Sequence, residues 1–103
     1  MAQIKWTEPA LQDLYEIAEY IDFSNPDAAQ RLILKIFASV ERLEQFPESG
    51  KEVVELEGFD YREVVVNPCR VFYKIDSEEV FILHVMRREQ DLKRFILGPK
   101  NFS

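Results

Sequence analysis

The residues best suited to chemistry are cations placed inside apolar runs. From Tyr61 to Arg88 the chain reads YREVVVNPCRVFYKIDSEEVFILHVMRR, with Arg62, Arg70 and Lys74 inside the runs and Arg87-Arg88 at their end. A guanidinium group in mid-strand is costly if fully buried, so each must reach water, a carboxylate or a ligand. A local basic surface of this kind suits an acidic partner protein or one short stretch of RNA. The plain structural alternative for Arg62 is a salt bridge to Glu63, Glu57 or an acidic helix. Arg70 has fewer such outlets, because its strand is otherwise apolar. Arg87 and Arg88 close a strand, where solvated surface is the default reading.

Other chemistry is thinly represented. His84 is the only histidine. Inside VFILHVM it reads first as a hydrogen-bonded core residue and second as a base. Cys69 is the only cysteine, so no internal disulfide and no structural zinc site is expected, and a reducing cytoplasm is the natural compartment. The three glycines are isolated, so no phosphate-binding loop exists. Neither a cofactor nor a metal is expected.

The elements that carry these residues follow from periodicity. Ile4 and Trp6 alternate with Gln3 and Lys5 as a first strand. Thr7 suits an N-cap, with Glu8 and Pro9 in the first turn and Leu11, Leu14, Ala18 and Ile21 at helical spacing. This helix ends near Phe23 or Ser24. Asn25-Pro26-Asp27 starts a second, with Ala29, Leu32, Ile33, Ile36, Phe37, Val40 and Leu43 on its apolar stripe, up to Phe46-Pro47. The short connection makes the helices antiparallel neighbours. Glu52 to Glu57 is a weaker edge-strand candidate. Tyr61–Val66, Cys69–Ile75 and Val80–Met86 then form a meander, with turns at Asn67-Pro68 and Asp76–Glu79. Gln90 to Leu97 suits a short C-terminal helix. Within the second meander strand, Cys69, Val71, Tyr73 and Ile75 are expected under the helices, and Arg70, Phe72 and Lys74 on an open face. Whether Arg62 shares that face depends on the turn register. The fold class is α+β, a helical hairpin packed on a three- to four-stranded antiparallel sheet, forming one domain over residues 1–103.

Composition narrows the function. At 47% apolar residues the chain can bury a core, and it contains no apolar run long enough to span a membrane. Residues 1–60 hold five Lys/Arg against thirteen Asp/Glu, whereas residues 61–103 hold eight against six, for an overall charge of −6. Such a chain binds nucleic acid poorly by bulk electrostatics, and sequence-specific DNA binding by this chain alone is not expected.

Several stretches taken together resemble the RelE/ParE superfamily of bacterial type II toxins. They are Trp6, the Ala10–Leu14–Ile17–Ile21 spacing, Asn25-Pro26 with Ala28-Ala29, and Leu43 with Phe46-Pro47 and Gly50. Tyr61-Arg62-Glu63, Arg70-Val71 with Tyr73, and the Val80–Val85 strand followed by Arg87-Arg88 complete the pattern. The resemblance implies a cytoplasmic toxin of a plasmid-stabilisation type of module, covered by a ParD- or RelB-like antitoxin. It also implies either RNA cleavage at the ribosome or inhibition of DNA gyrase by protein contact. For cleavage, Arg62 and Arg70 match two basic catalytic positions and Arg87 or Arg88 a third, with His84, a weak candidate, or Glu63 standing in for the base and acid. Arg62, Arg70, Lys74, Arg87 and Arg88 are the matching positions for binding antitoxin or target. However, Val64 stands where a lysine of that strand is expected, and the C-terminal tyrosine has no counterpart, Phe95 being the aromatic there. These departures and the negative charge favour the ParE-like branch. A non-toxic, antitoxin-binding module is a third reading.

Overall fold

The computed structural model describes residues 1–88, so the expected helix at Gln90–Leu97 lies outside the described residues. Two helices lie on one face of a five-stranded sheet. The strands are β1 (Gln3–Trp6), β2 (Lys51–Glu52), β3 (Arg62–Val66), β4 (Cys69–Asp76) and β5 (Glu79–Arg87), and the helices are α1 (Glu8–Asp22) and α2 (Pro26–Glu41). The spatial order is β1-β5-β4-β3-β2. The sheet is mixed, because β1 runs parallel to β5 while the other pairings are antiparallel. β1 thus joins the sheet, through α1 and α2, as a fifth strand beyond the antiparallel set.

Both helix starts follow from local chemistry. Thr7 accepts a hydrogen bond from the Ala10 N–H at 3.3 Å, and Asn25 accepts one from Ala28 at 3.1 Å, with a proline in each first turn. Thr7 also donates to the Ile82 carbonyl at 2.7 Å, tying the α1 start to β5. Ala10, Leu14 and Ile17 of α1 and Leu32, Ile36 and Val40 of α2 pack on Val66, Cys69, Val71, Tyr73, Val80, Ile82 and Val85. The helix-facing set expected for β4 is therefore the observed one.

A bulge changes the alternation in β5. Phe72 pairs with His84 and Tyr73 with Ile82, so Leu83 is the extra residue. Val80 and Ile82 face the helices before it, and Val85 after it. His84 is thereby shifted to the other parity.

The opposite face departs from the expected open surface. Phe72 and Met86 are buried beneath Val53, with Leu56 and Tyr61 packed alongside. The stretch expected as a strand over Glu52–Glu57 pairs only at Lys51–Glu52 and then makes a 3-10 turn at Val54–Leu56. Val53 and Leu56 are three residues apart, a spacing a turn can bring to one side and an extended strand cannot. Burial of two apolar side chains outweighs continued pairing.

Candidate functional site

Arg70 sits at the centre of a carboxylate clamp. Its guanidinium donates to Glu63 at 2.8 and 2.7 Å and, as a fork, to both oxygens of Glu55 at 2.9 Å. Its plane also lies 4.9 Å from the Phe72 ring centroid. The Glu63 side chain is only 3% exposed, and Arg70 is its ion-pair partner at 2.7 Å. Arg70 is driven further above its ordinary pKa, first by the Glu63 hydrogen bonds and then by those of Glu55. The β3–β4 register explains the meeting. Val66 pairs with Cys69, so Val65 faces Arg70 and Glu63 faces Phe72, which puts Glu63 and Arg70 on one face. Glu63 had been a candidate partner for Arg62; the two-residue turn assigns it to Arg70.

The clamp responds to acid in a defined way. The Glu55 carboxyl lies below its usual value of 4.5, chiefly because Arg70 hydrogen-bonds its charged form. On acidification the unfolded chain therefore takes up this proton first. The contribution is fully present above the ordinary value and is lost as pH falls through the lowered folded value. Wild-type stability measured by urea denaturation should decline, as pH falls below the ordinary carboxyl value of 4.5, more steeply than that of Glu55→Gln.

Arg62 lies on the helix side, opposite Tyr73. It donates to the Gly50 carbonyl at 2.8 Å and to the Glu48 carbonyl at 3.2 Å. The buried Tyr73 hydroxyl donates to the Pro47 carbonyl at 2.7 Å and accepts from the Gly50 N–H at 2.9 Å. Together the two side chains hold the loop at residues 47–50 against the sheet. Burial raises the Tyr73 pKa above its ordinary 10.0, so its contribution is lost only as pH rises through that higher folded value.

The remaining cations are spread apart. Arg87 lies over the Tyr20 ring of α1 at 4.1 Å, and Arg88 donates to the Asn67 side chain at 2.8 Å. Lys74 sits beside Phe81 on the face away from the helices. The bulge leaves His84 opposite Phe72, on the parity of the face away from the helices. Its Nδ1 lies 3.1 Å from Asp13, which also accepts the Val85 N–H at 3.0 Å. β1 ends at Trp6, so among the described residues no strand lies beside β5 there, and Asp13 of α1 supplies the acceptor. Asp13→Ala should cost about 1–3 kcal/mol in chemical denaturation, because the Val85 N–H then has no partner. Periodicity identified neither Asp13 nor Glu55, since both contacts cross between elements distant in sequence.

Sequence-predicted site residues are thus divided between two faces. Arg70 and Lys74 lie on the face away from the helices; Arg62 and Arg87 lie on the helix side. What the geometry defines is a small α+β domain whose Arg62 and Arg70 bind acceptors of the same chain and whose helical hairpin presents apolar side chains outward. Leu11, Tyr15, Leu34 and Phe37 are all exposed, and a groove of about 490 Å³ runs between the helices past Tyr15, Ala18, Ile33 and Leu34.

Residues 4–92 match the model of the ParE toxin of the type II toxin-antitoxin system parDE. Toxin RelE2 of Caulobacter vibrioides is 37% identical over 89 residues, 84% of this chain and 92% of that protein. The putative toxin Y4kP of Sinorhizobium fredii is 38% identical over 93 residues, 85% of this chain and 90% of its own length. Among solved structures, the chromosomal ParDE system of P. aeruginosa superposes with a TM-score of 0.74 at 25% identity, covering 86% of this chain and 98% of that one. RelBE2 of Mycobacterium tuberculosis shares the fold, with a TM-score of 0.56 at 20% identity over 84% of this chain and 98% of that one. The chain belongs to the ParE toxin family of type II toxin-antitoxin systems.

Proposed function

We propose that this chain is a toxin neutralised by a cognate ParD- or RelB-like antitoxin, and that it arrests growth by inhibiting DNA gyrase through protein contacts. One observation carries the choice of mechanism. Arg62 and Arg70, the pair an RNA-cleaving site would use, are on opposite faces and are each taken up by acceptors of their own chain. Cleavage by 2′-hydroxyl attack needs charge stabilisation converging on one phosphate, with a base beside it. The apolar groove of the helical hairpin supports the partner half of the reading. An amphipathic antitoxin helix would lay its apolar stripe along Tyr15, Ile33 and Leu34.

A RelE-like ribonuclease is the second reading, favoured by the likeness to Toxin RelE2. In that case the Asp13–His84 pair would be the source of a base. Two assays separate the readings. Purified toxin should block gyrase supercoiling of relaxed plasmid, and primer extension on messages from induced cells should show no codon-phased cuts. Cuts together with unaffected supercoiling would reverse the assignment.

A further inference from the structure

Between β2 and β3 the chain forms a loop that is anchored on its inner side. Val53 packs with Phe72 and Met86, Leu56 packs alongside, and Glu55 turns back to Arg70. The packing sets the loop's position, because the exposed Glu55 makes an ion pair that water screens. The Phe59 N–H then donates to the Leu56 carbonyl at 3.0 Å, with Glu57 at φ −56° and ψ 135° and Gly58 at φ 93°. This is a type II turn, whose third position takes the positive φ that glycine supplies. Phe59 stacks on Tyr61, with ring centroids 5.9 Å apart and planes 9° from parallel.

The outer side of this loop is apolar and acidic. Val54 is 81% exposed and Phe59 66%. An aromatic ring held at a turn tip is preorganised for a partner, because little freedom remains to be lost on binding. Residues 52–60 hold four acids and no Lys or Arg. Arg70 takes up Glu55, whereas the exposed Glu52, Glu57 and Asp60 take part in no ion pair among the described residues. An exposed ring among unpaired carboxylates complements a protein surface that is apolar at its centre and cationic around it. The same carboxylates repel phosphate, so nucleic acid does not fit.

We infer that the loop at residues 54–60 is the toxin's contact with its target, with Phe59 seated on apolar surface and Glu57 and Asp60 meeting Lys or Arg side chains around it. The inference rests on the proposed inhibition by protein contact. For an enzyme that handles DNA, the fitting surface is one that otherwise holds DNA, since such a surface is cationic. A second copy of this chain is disfavoured, because two such loops would oppose their acids. The groove assigned to the antitoxin is built from other residues, Tyr15, Ile33 and Leu34 among them, so the two contacts are separable by mutation.

The test uses Phe59→Ala and, separately, Glu57→Lys with Asp60→Lys, each in the full chain and each checked for folding by urea denaturation. The charge-reversed variant changes only exposed side chains and decides the matter should the alanine variant misfold. Induced in cells lacking antitoxin, the folded variants should no longer arrest growth. The concentration that half-inhibits gyrase supercoiling should rise at least about tenfold, while the cognate antitoxin still captures both proteins. Growth arrest by the folded variants at the wild-type level overturns the inference. Loss of antitoxin capture together with loss of arrest also overturns it, as does wild-type self-association that the variants abolish. If the wild type arrests growth and leaves gyrase unaffected, the gyrase reading fails and growth arrest alone decides the loop. Its loss in the variants then supports the inference, and its retention overturns it. A wild type that arrests nothing overturns both.

Discussion

Replacing Arg70 with alanine is expected to destabilise the fold by about 3–5 kcal/mol, a large part of the stability of a domain this size. The reason lies in Glu63, whose side chain is 3% exposed and has Arg70 as its ion-pair partner. Removal of the cation leaves the Glu63 carboxylate, beside Phe72, without its ion-pair partner. Glu55 contributes less to this cost, because its side chain is 41% exposed and water screens it. Arg70→Met combined with Glu63→Leu should recover most of the loss, since removing both charges removes the unpaired one. Urea denaturation of the two variants measures the difference. It follows that loss of toxicity in Arg70→Ala alone cannot be read as loss of a catalytic group.

Gly50→Ala is expected to cost at least about 2 kcal/mol, lowering Tm by roughly 10 °C. A Cβ at this position would sit 2.7 Å from Tyr73 Cε1 and 2.8 Å from the Glu63 carbonyl oxygen. Neither neighbour can yield. Tyr73 is fully buried, and Glu63 is held in the β3 ladder and in the Arg70 clamp. The tyrosine hydroxyl also binds both ends of the loop, so displacing the ring breaks the Pro47 and Gly50 hydrogen bonds together. Thermal unfolding of Gly50→Ala beside Tyr73→Phe separates the two terms. The second variant loses only the hydrogen bonds, and should be the milder of the two.

The helices and the helix-facing side of β4 were legible because both rest on local signals. Thr7 and Asn25 cap their own helices, and a period of 3.6 or 2 marks a buried face within one element. The far side of the sheet was less legible. Val53 and Leu56 read as strand residues until Phe72 and Met86 are known to need cover. The β5 bulge is one residue, yet it exchanges the faces of His84 and Val85, and no local rule announces it. The arginines were visible as an anomaly from the start. Their roles were not, because each role depends on a partner fixed by register or by a distant loop. Arg70 meets Glu63 through a two-residue turn, and Arg62 meets the Glu48 and Gly50 carbonyls through the path of residues 47–50.

The central claim is that these arginines hold the fold and that toxicity does not pass through them as phosphate-binding groups. The most direct test is induction of the Arg70→Met, Glu63→Leu protein in cells lacking antitoxin, once its fold is verified by circular dichroism and urea denaturation. The double variant should arrest growth as the wild type does, with gyrase supercoiling inhibited to the same extent. A folded double variant that no longer arrests growth, while the wild type leaves codon-phased cuts in messages, would contradict the claim and place Arg70 in an RNA-cleaving site.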